Sequence, residues 1–72
     1  MTYKIARAGK SYQMHANDFR CDVETIGTED TTPIATFYGK NLKEAKARAK
    51  GAADLINEYP LNFGIDPKDF KR

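Results

Sequence analysis

Few side chains in this sequence of 72 residues could carry out acid–base, nucleophilic or metal chemistry. His15 is the only histidine and Cys21 the only cysteine, so a metal site would need carboxylates together with that one thiol. Asp22 and Glu24 share one face of a predicted strand, where the neighbouring Arg20 indicates ordinary surface ion pairs. A hydrolase built on paired carboxylates would also need a cleft that so short a chain hardly forms. We therefore predict no catalytic residue, no metal site, no cofactor and no enzymatic activity.

A short segment of the sequence partly matches a glycine-rich, phosphate-binding loop. Gly9, Lys10 and Ser11 match the end of such a loop, in which backbone amides and a lysine hold the phosphate groups. The motif requires a glycine five residues before Gly9, and the residue there is Lys4. We interpret the tripeptide as part of a turn.

The segment 41–59 gives the clearest structural signal and predicts an amphipathic helix. With a period of about 3.6 residues, its apolar side chains fall within one arc of about 120°. They are Leu42, Ala45, Ala49, Ala52, Ala53, Ile56 and Tyr59. Asn41 is suited to the N-cap and Glu44 to a capping box, and Pro60 ends the helix. The alanines allow a close approach to a sheet, with Leu42 and Ile56 as the larger anchors.

The residues before this helix predict antiparallel strands. Apolar and polar side chains alternate in three segments, which are 2–7, 11–15 and 19–24, and a fourth segment, 33–38, is rich in β-branched and aromatic residues. They are separated by a turn at 8–10, a break at 16–18 and an acidic, polar hairpin loop at 27–32. These connections are too short for parallel crossovers.

The order of the elements predicts an α+β fold, a small antiparallel sheet of three to four strands with one C-terminal amphipathic helix packed on one face. We expect a single domain over 1–72, with the sheet at 2–38, the helix at 41–59 and an irregular tail at 60–72. A single core is only marginally stabilising at this size. A homodimer, or a partner that covers apolar surface, is therefore possible.

Charge and cysteine content narrow the function classes. The net charge is +2, from 12 basic and 10 acidic side chains, so the chain is not a polybasic nucleic-acid arm. The single cysteine allows no internal disulfide, which favours a reducing, cytoplasmic location. No apolar run approaches the roughly 18 to 20 residues of a membrane span, so we expect no membrane association.

The tail is too apolar for a free linker, although it shows no helical or strand period. Its large apolar side chains are Leu61, Phe63, Ile65 and Phe70. Either part of the tail folds back over the sheet or the helix end, or it forms an exposed patch for a partner. For the second alternative, the candidate partner-binding residues are Phe63, Ile65, Phe70 and Lys71.

Lysines follow one edge of the predicted helix. Lys43, Lys46 and Lys50 lie at i, i+3 and i+7, which places their ammonium groups along one border of the apolar stripe. They form either a solvated face or a basic ridge for phosphate or an acidic protein surface. With Lys40 and His15, they are the candidate nucleic-acid-binding residues.

The segment from Ile34 to Pro60 resembles the C-terminal half of small accessory proteins encoded by tailed phages and prophages. In these proteins a strand leads through a short polar turn into a helix with an EAxAR motif, small residues and an apolar pair. The matching positions are Glu44, Ala45, Ala47 and Arg48, then Ala52, Ala53, Leu55 and Ile56. The resemblance implies a phage origin and a protein that binds a host or defence component, as an inhibitor or adaptor of the anti-CRISPR kind, in the host cytosol.

A second resemblance is to the double-stranded-RNA-binding domain. His15 and Phe19 have the spacing that this family shows at the start of a strand, and the helix start is similar at Lys43, Ala45, Lys46 and Ala49. It implies that Lys43 and Lys46 contact phosphates across the major groove while the loop with His15 enters the minor groove. The sequence departs from the family in having Leu42 at the first lysine position, no Gly-Pro before His15, and a strand-like segment in place of the first helix.

These resemblances place the function on different surfaces. We favour a non-enzymatic binding protein that docks on a protein partner through the tail, the acidic hairpin or the outer sheet face. The alternative is a module for duplex RNA or DNA that uses the lysine edge. Four acidic side chains disfavour the alternative unless they lie on the far side of the molecule, and they are Asp22, Glu24, Glu29 and Asp30.

Overall fold

Four strands and one α-helix follow each other in the computed structural model, which describes residues 3–26 and 33–69. The strands are β1 (Ala6–Ala8), β2 (Tyr12–His15), β3 (Asp18–Thr25) and β4 (Pro33–Gly39), and the helix is α1 (Leu42–Glu58). Two short 3₁₀ turns, Pro60–Phe63 and Pro67–Asp69, complete the described chain. The predicted α+β class, a small antiparallel sheet with one C-terminal helix, is confirmed. The predicted hairpin loop at 27–32 lies outside the described residues.

Strand β3 is the centre of the sheet. Strand β4 pairs with one side of it along most of its length, with Cys21 opposite Phe37. Strands β1 and β2 pair in succession with the other side of β3, at its C-terminal and N-terminal halves respectively. Residues 9–11 therefore interrupt one sheet edge instead of reversing the chain as the predicted turn would. The amide of Gly9 donates to the Asp22 carbonyl at 2.8 Å, which keeps the interrupted edge attached to β3.

The core lies between α1 and one face of the sheet. Its helical side consists of Ala45, Ala49, Ala53 and Ile56, all buried. Its sheet side includes Ala6, Cys21 and Val23, with Phe19 and Phe37 partly buried beside them. Small side chains on the helix let it approach the sheet closely, as the sequence predicted.

The N-terminal end of α1 differs from its centre. Leu42 is 43% exposed, so the prediction that it anchors the helix is wrong. It is the first helical residue, and the strand before the helix ends at Gly39, so little of the sheet reaches it. The backbone turns so tightly here that a Cβ on Gly39 would lie 2.4 Å from the Ala45 nitrogen. Glycine is needed at this position for steric reasons.

The predicted N-cap is present. The Asn41 side-chain oxygen accepts a hydrogen bond from the Glu44 amide at 2.8 Å. The Glu44 carboxylate accepts in return from the Lys40 amide at 2.9 Å, one residue before the position of the usual capping box. None of the helices in the described ranges is both long and apolar enough to cross a membrane.

Candidate functional site

The C-terminal end of α1 carries a cluster of exposed apolar side chains. Tyr3, Tyr59, Leu61 and Pro67 surround two adjoining shallow depressions, and we call these residues the terminal patch. Leu61 is 73% exposed and Tyr59 is 50% exposed. The Tyr3 amide donates to the Asn57 carbonyl at 2.8 Å, which holds the start of the chain beside the helix end. Residues distant in sequence thus form one surface.

Backbone hydrogen bonds fix the tail beneath this surface. Pro60 is buried, and Ile65 packs partly against the core. The Ile65 amide donates to the Pro60 carbonyl at 3.0 Å and the Gly64 amide donates to the Leu61 carbonyl at 3.1 Å. Gly64 adopts the left-handed conformation, with φ of 72°, which glycine reaches without strain. The tail therefore folds back onto the helix end and still exposes Leu61.

Charged side chains border the terminal patch. Glu58 lines one depression, and Asp66 and Lys68 line the other. A hydrogen bond to the Glu58 carboxylate, together with its negative charge, raises the pKa of Tyr59. An apolar centre with a charged border is the usual composition of a protein-binding surface.

The predicted partner-binding residues fall into three groups. Phe63 is 51% exposed, in the same 3₁₀ turn as Leu61. Ile65 is half-buried against the core, so its main role is to support the tail. Phe70 and Lys71 lie outside the described residues. Tyr3 and Tyr59 were not predicted as binding residues, because they belong to separate elements that only the fold brings together.

The lysine edge of α1 is largely engaged in contacts within the protein. The Lys46 ammonium lies 2.7 Å from the Gly9 carbonyl oxygen, at the interruption between β1 and β2. The Lys50 ammonium lies 3.3 Å from the Asp54 carboxylate. Within the described part of the chain, the side chains of Lys40 and Lys43 have no hydrogen bond or ion pair.

His15 shares one end of the molecule with the start of α1. It pairs with Asp18 at the β2–β3 turn, while Phe19, the next residue of β3, pairs with Gly39 at the end of β4. Lys40 and Lys43 follow directly. Lys46 and Lys50 lie farther along the helix. The predicted nucleic-acid residues therefore divide into His15, Lys40 and Lys43 at this end, and Lys46 and Lys50, which are engaged within the protein, at the middle of the edge.

Asn57 closes the edge that Lys46 contacts, and the sequence analysis did not single it out. Its side-chain oxygen accepts from the amides of Ile5 at 2.8 Å and Ala6 at 2.7 Å. Its side-chain nitrogen donates to the Ala6 carbonyl at 2.9 Å. The amide group thus takes the place of a neighbouring strand beside β1. An asparagine in the last turn of a helix is the only sequence signal, and it is too common to be specific.

The outer face of the sheet carries a network of polar and aromatic side chains. Arg20 stands between Tyr12 on β2 and Tyr38 on β4, with its guanidinium 5.0 Å from the centre of the Tyr38 ring. It donates to both carboxylate oxygens of Asp18, at 2.9 and 2.7 Å, and these bonds lower the pKa of Asp18. The hydroxyls of Tyr12 and Thr36 both donate to Asp22, at 3.1 and 2.7 Å.

Within the described ranges, the arginines of this face pair with acidic side chains, so they do not form a free basic surface for nucleic acid. The remaining pair joins Arg7 to Glu24 at 2.9 Å. Among the described residues, no three His, Cys, Asp or Glu side chains lie together in a way that could hold a metal ion.

Cys21 is fully buried on the opposite face of β3. Its thiol lies 3.3 Å from the Gly9 carbonyl oxygen, to which it donates. Burial raises the pKa of this thiol, while the charge of Lys46 acts in the opposite direction. A thiol that is buried and protonated is a poor nucleophile, so Cys21 serves as a core side chain.

No protein-family model, curated protein sequence or solved structure matches the chain.

Proposed function

We propose that the protein acts by binding a protein partner through the terminal patch. The exposure of Leu61 beside Tyr3 and Tyr59 carries this proposal, because large apolar side chains clustered on a surface are typical of interaction sites. Tyrosine is among the residue types that most often dominate binding energy. The tail that presents Leu61 is held by its own backbone hydrogen bonds, so little conformational entropy is lost on docking.

The kind of partner is part of the same proposal. The resemblance to phage and prophage accessory proteins supports a host or defence-system macromolecule as the target, with the protein as its inhibitor or adaptor. A docking protein of this kind needs no reactive group. Cys21 is buried, and the outer-face carboxylates accept hydrogen bonds from Thr36 and Arg7, which agrees with that role.

The test compares two exposed apolar side chains. Leu61→Ser removes the centre of the terminal patch, and Met14→Ser removes a side chain that is 51% exposed on β2. Neither change should alter stability by more than about 0.5 kcal/mol, because both positions are on the surface. Tagged variants are incubated with bacterial lysate, with and without nuclease treatment, captured proteins are identified by mass spectrometry, and a purified candidate is titrated by calorimetry.

We expect a partner that binds the wild type and Met14→Ser equally and binds Leu61→Ser at least about tenfold more weakly, a loss of about 1.4 kcal/mol. Equal affinity of all three proteins would reject the terminal patch as the contact surface. A partner that is lost on nuclease treatment would point to nucleic acid instead.

Duplex RNA binding is the second candidate, and the unpaired Lys40 and Lys43 beside His15 support it. Its affinity would come mainly from phosphate contacts and would fall steeply with salt. Gel shifts at low salt with the double change Lys40→Ala, Lys43→Ala should then show loss of binding. A matched change, Lys50→Ala, should have little effect, because Lys50 already pairs with Asp54. Absence of a shift with wild-type protein at tens of micromolar would exclude this candidate.

A further inference from the structure

The outer edge of β4 lacks a neighbouring strand in the described part of the chain. Strand β4 spans seven residues, Pro33–Gly39, and none of them is charged. Natural sheets usually protect an edge with lysines, bulges, very short strands or covering segments. Here the first residue is proline and one bulge lies near it, but Ala35 to Tyr38 run without interruption. This edge is therefore able to pair with another strand.

The direction of the backbone groups at the outer edge of β4 follows from one contact. The Tyr38 carbonyl accepts from the Arg48 guanidinium at 2.9 Å, so it points away from β3. Backbone groups of alternate residues point to the same side of a strand. Thr36, two residues before Tyr38, therefore also directs its amide and carbonyl outwards.

We propose that two copies of this chain pair through β4, antiparallel about a two-fold axis at Thr36. The amide and carbonyl of Thr36 in one copy would bond to those of Thr36 in the other. The Tyr38 side chain would lie opposite that of Ile34, which is the residue that the bulge adds to β4. Aromatic and β-branched side chains in opposite positions stabilise such pairs, as do threonines opposite one another. Tyr38 is 52% exposed and Ile34 is also exposed, so both are available.

The helix flank beside β4 favours a second copy over an isolated peptide. Leu55 lies seven residues after Arg48, on the same side of α1, and is 52% exposed. Gly51 lies between them, and a Cβ there would meet no atom within 4 Å. A second copy would bring its own α1 flank against this surface. An extended peptide would cover the strand edge and leave Leu55 in water.

Self-pairing is also consistent with charge. No like charges face each other along β4, because the strand is uncharged. The antiparallel arrangement would direct the two terminal patches to opposite ends of the dimer. A dimer would thus present two contact surfaces, although its existence does not depend on the function proposed for that patch.

Charge substitution at the two-fold axis tests the pairing. Thr36→Lys and Thr36→Glu each place like charges opposite one another, whereas an equimolar mixture places lysine opposite glutamate. Sedimentation velocity, measured over a series of protein concentrations, determines the oligomeric state. Met14→Lys, a charge at an exposed position on β2, is the matched control. Far-UV circular dichroism and melting curves show whether each variant is folded.

We expect concentration-dependent dimers for the wild type and Met14→Lys, monomers for each Thr36 variant alone, and recovery of dimers in the mixture. A wild type that stays monomeric at millimolar concentration overturns the proposal, and leaves the edge to an extended segment of another protein. Dimers that persist in both Thr36 variants overturn it as well, because they must use another surface. Should Thr36→Glu fail to fold beside Asp22, Tyr38→Lys provides the second disrupting change at the same interface.

Discussion

Side chains of α1 form hydrogen bonds to the backbone at both edges of the sheet, but they do so more extensively at one edge than at the other. On the β1–β2 edge, Asn57 bonds to the backbone of Ile5 and Ala6, and Lys46 bonds to the Gly9 carbonyl. On the β4 edge of the described chain, a single side-chain bond joins α1 to the backbone, from Arg48 to the Tyr38 carbonyl. The closed edge consists of two short strands separated by residues 9–11, and the open edge is one longer, uncharged strand. A helix can thus protect one edge with side-chain amides and ammonium groups while leaving the other available for binding.

The difference between the edges also determines which lysines of α1 are candidates for ligand binding. A helical wheel places Lys43 and Lys46 in equivalent positions on one border of the apolar stripe. In the fold, Lys46 bonds to the Gly9 carbonyl in the interruption between β1 and β2, whereas Lys43 lies one turn earlier and has no such partner in the described chain. Basic side chains on a helix are therefore candidates for ligand binding only after the backbone acceptors beside them are known.

The largest effect should come from a change that separates α1 from both edges. Ala49 is fully buried against the sheet, so Ala49→Asp would place an unpaired carboxylate in the core. We expect a loss of more than about 4 kcal/mol, which is most of the stability of a domain this small. Ala47→Asp, the same change at an exposed position of α1, should remain folded. Thermal melts check both, and equal melting temperatures would mean that the orientation of the helix is wrong.

The helix illustrates how far the sequence predicts this fold. Ala45, Ala49, Ala53 and Ile56 repeat with the helical period, so their burial followed from spacing alone. Leu42 fits the same period but lies beyond the end of the sheet, and a periodic pattern contains no information about where the sheet ends. For this reason the type of element and the buried side of the helix could be predicted from the sequence. The exposure of Leu42 at the helix start could not.

The candidate site was less predictable, for a different physical reason. Leu61 stood out as apolar in an irregular tail, but Tyr3 and Tyr59 belong to separate elements. Their proximity depends on the hydrogen bond from the Tyr3 amide to Asn57 and on the return of the tail at Gly64. Long-range contacts of this kind leave no local pattern in the sequence.

The next largest effect contrasts the closed edge with the open one. Asn57→Leu would leave the buried amides of Ile5 and Ala6 without their acceptor, which should cost about 2–4 kcal/mol. Arg48→Leu removes the bond to Tyr38 and an exposed ion pair with Glu44, and should cost less than about 1 kcal/mol. Urea unfolding of both variants measures the difference. Similar losses would show that the helix supports the two edges equally.

A smaller effect is expected at the interruption between β1 and β2. Lys46→Met keeps the aliphatic stem and removes the ammonium that bonds to Gly9, so we expect a loss of about 0.5–1.5 kcal/mol. Lys43→Met, one turn earlier, should leave the free energy of unfolding unchanged. Hydrogen exchange of the Ala8 and Gly9 amides should increase in the first variant alone. Equal stability of both variants would mean that Lys46 is a solvated side chain after all.

The smallest effect concerns the ion pair of Asp18 and Arg20, which lies on the central strand β3, between the two edges. This effect depends on pH. Hydrogen bonds from Arg20 hold the pKa of Asp18 below its ordinary value of 3.8. The folded state therefore binds the Asp18 proton less readily than the unfolded chain does. This contribution to stability is complete above pH 3.8 and is lost as the pH falls through the lower folded pKa. The destabilisation caused by Asp18→Asn should accordingly be constant from pH 5 to 6 and shrink below pH 4.

Urea unfolding across this range measures the destabilisation. Arg20→Gln, which removes the donor, should return the pKa of Asp18 towards 3.8 in an NMR titration. A difference between the wild type and Asp18→Asn that does not change down to pH 2.5 would show that the charge of this carboxylate does not contribute to stability.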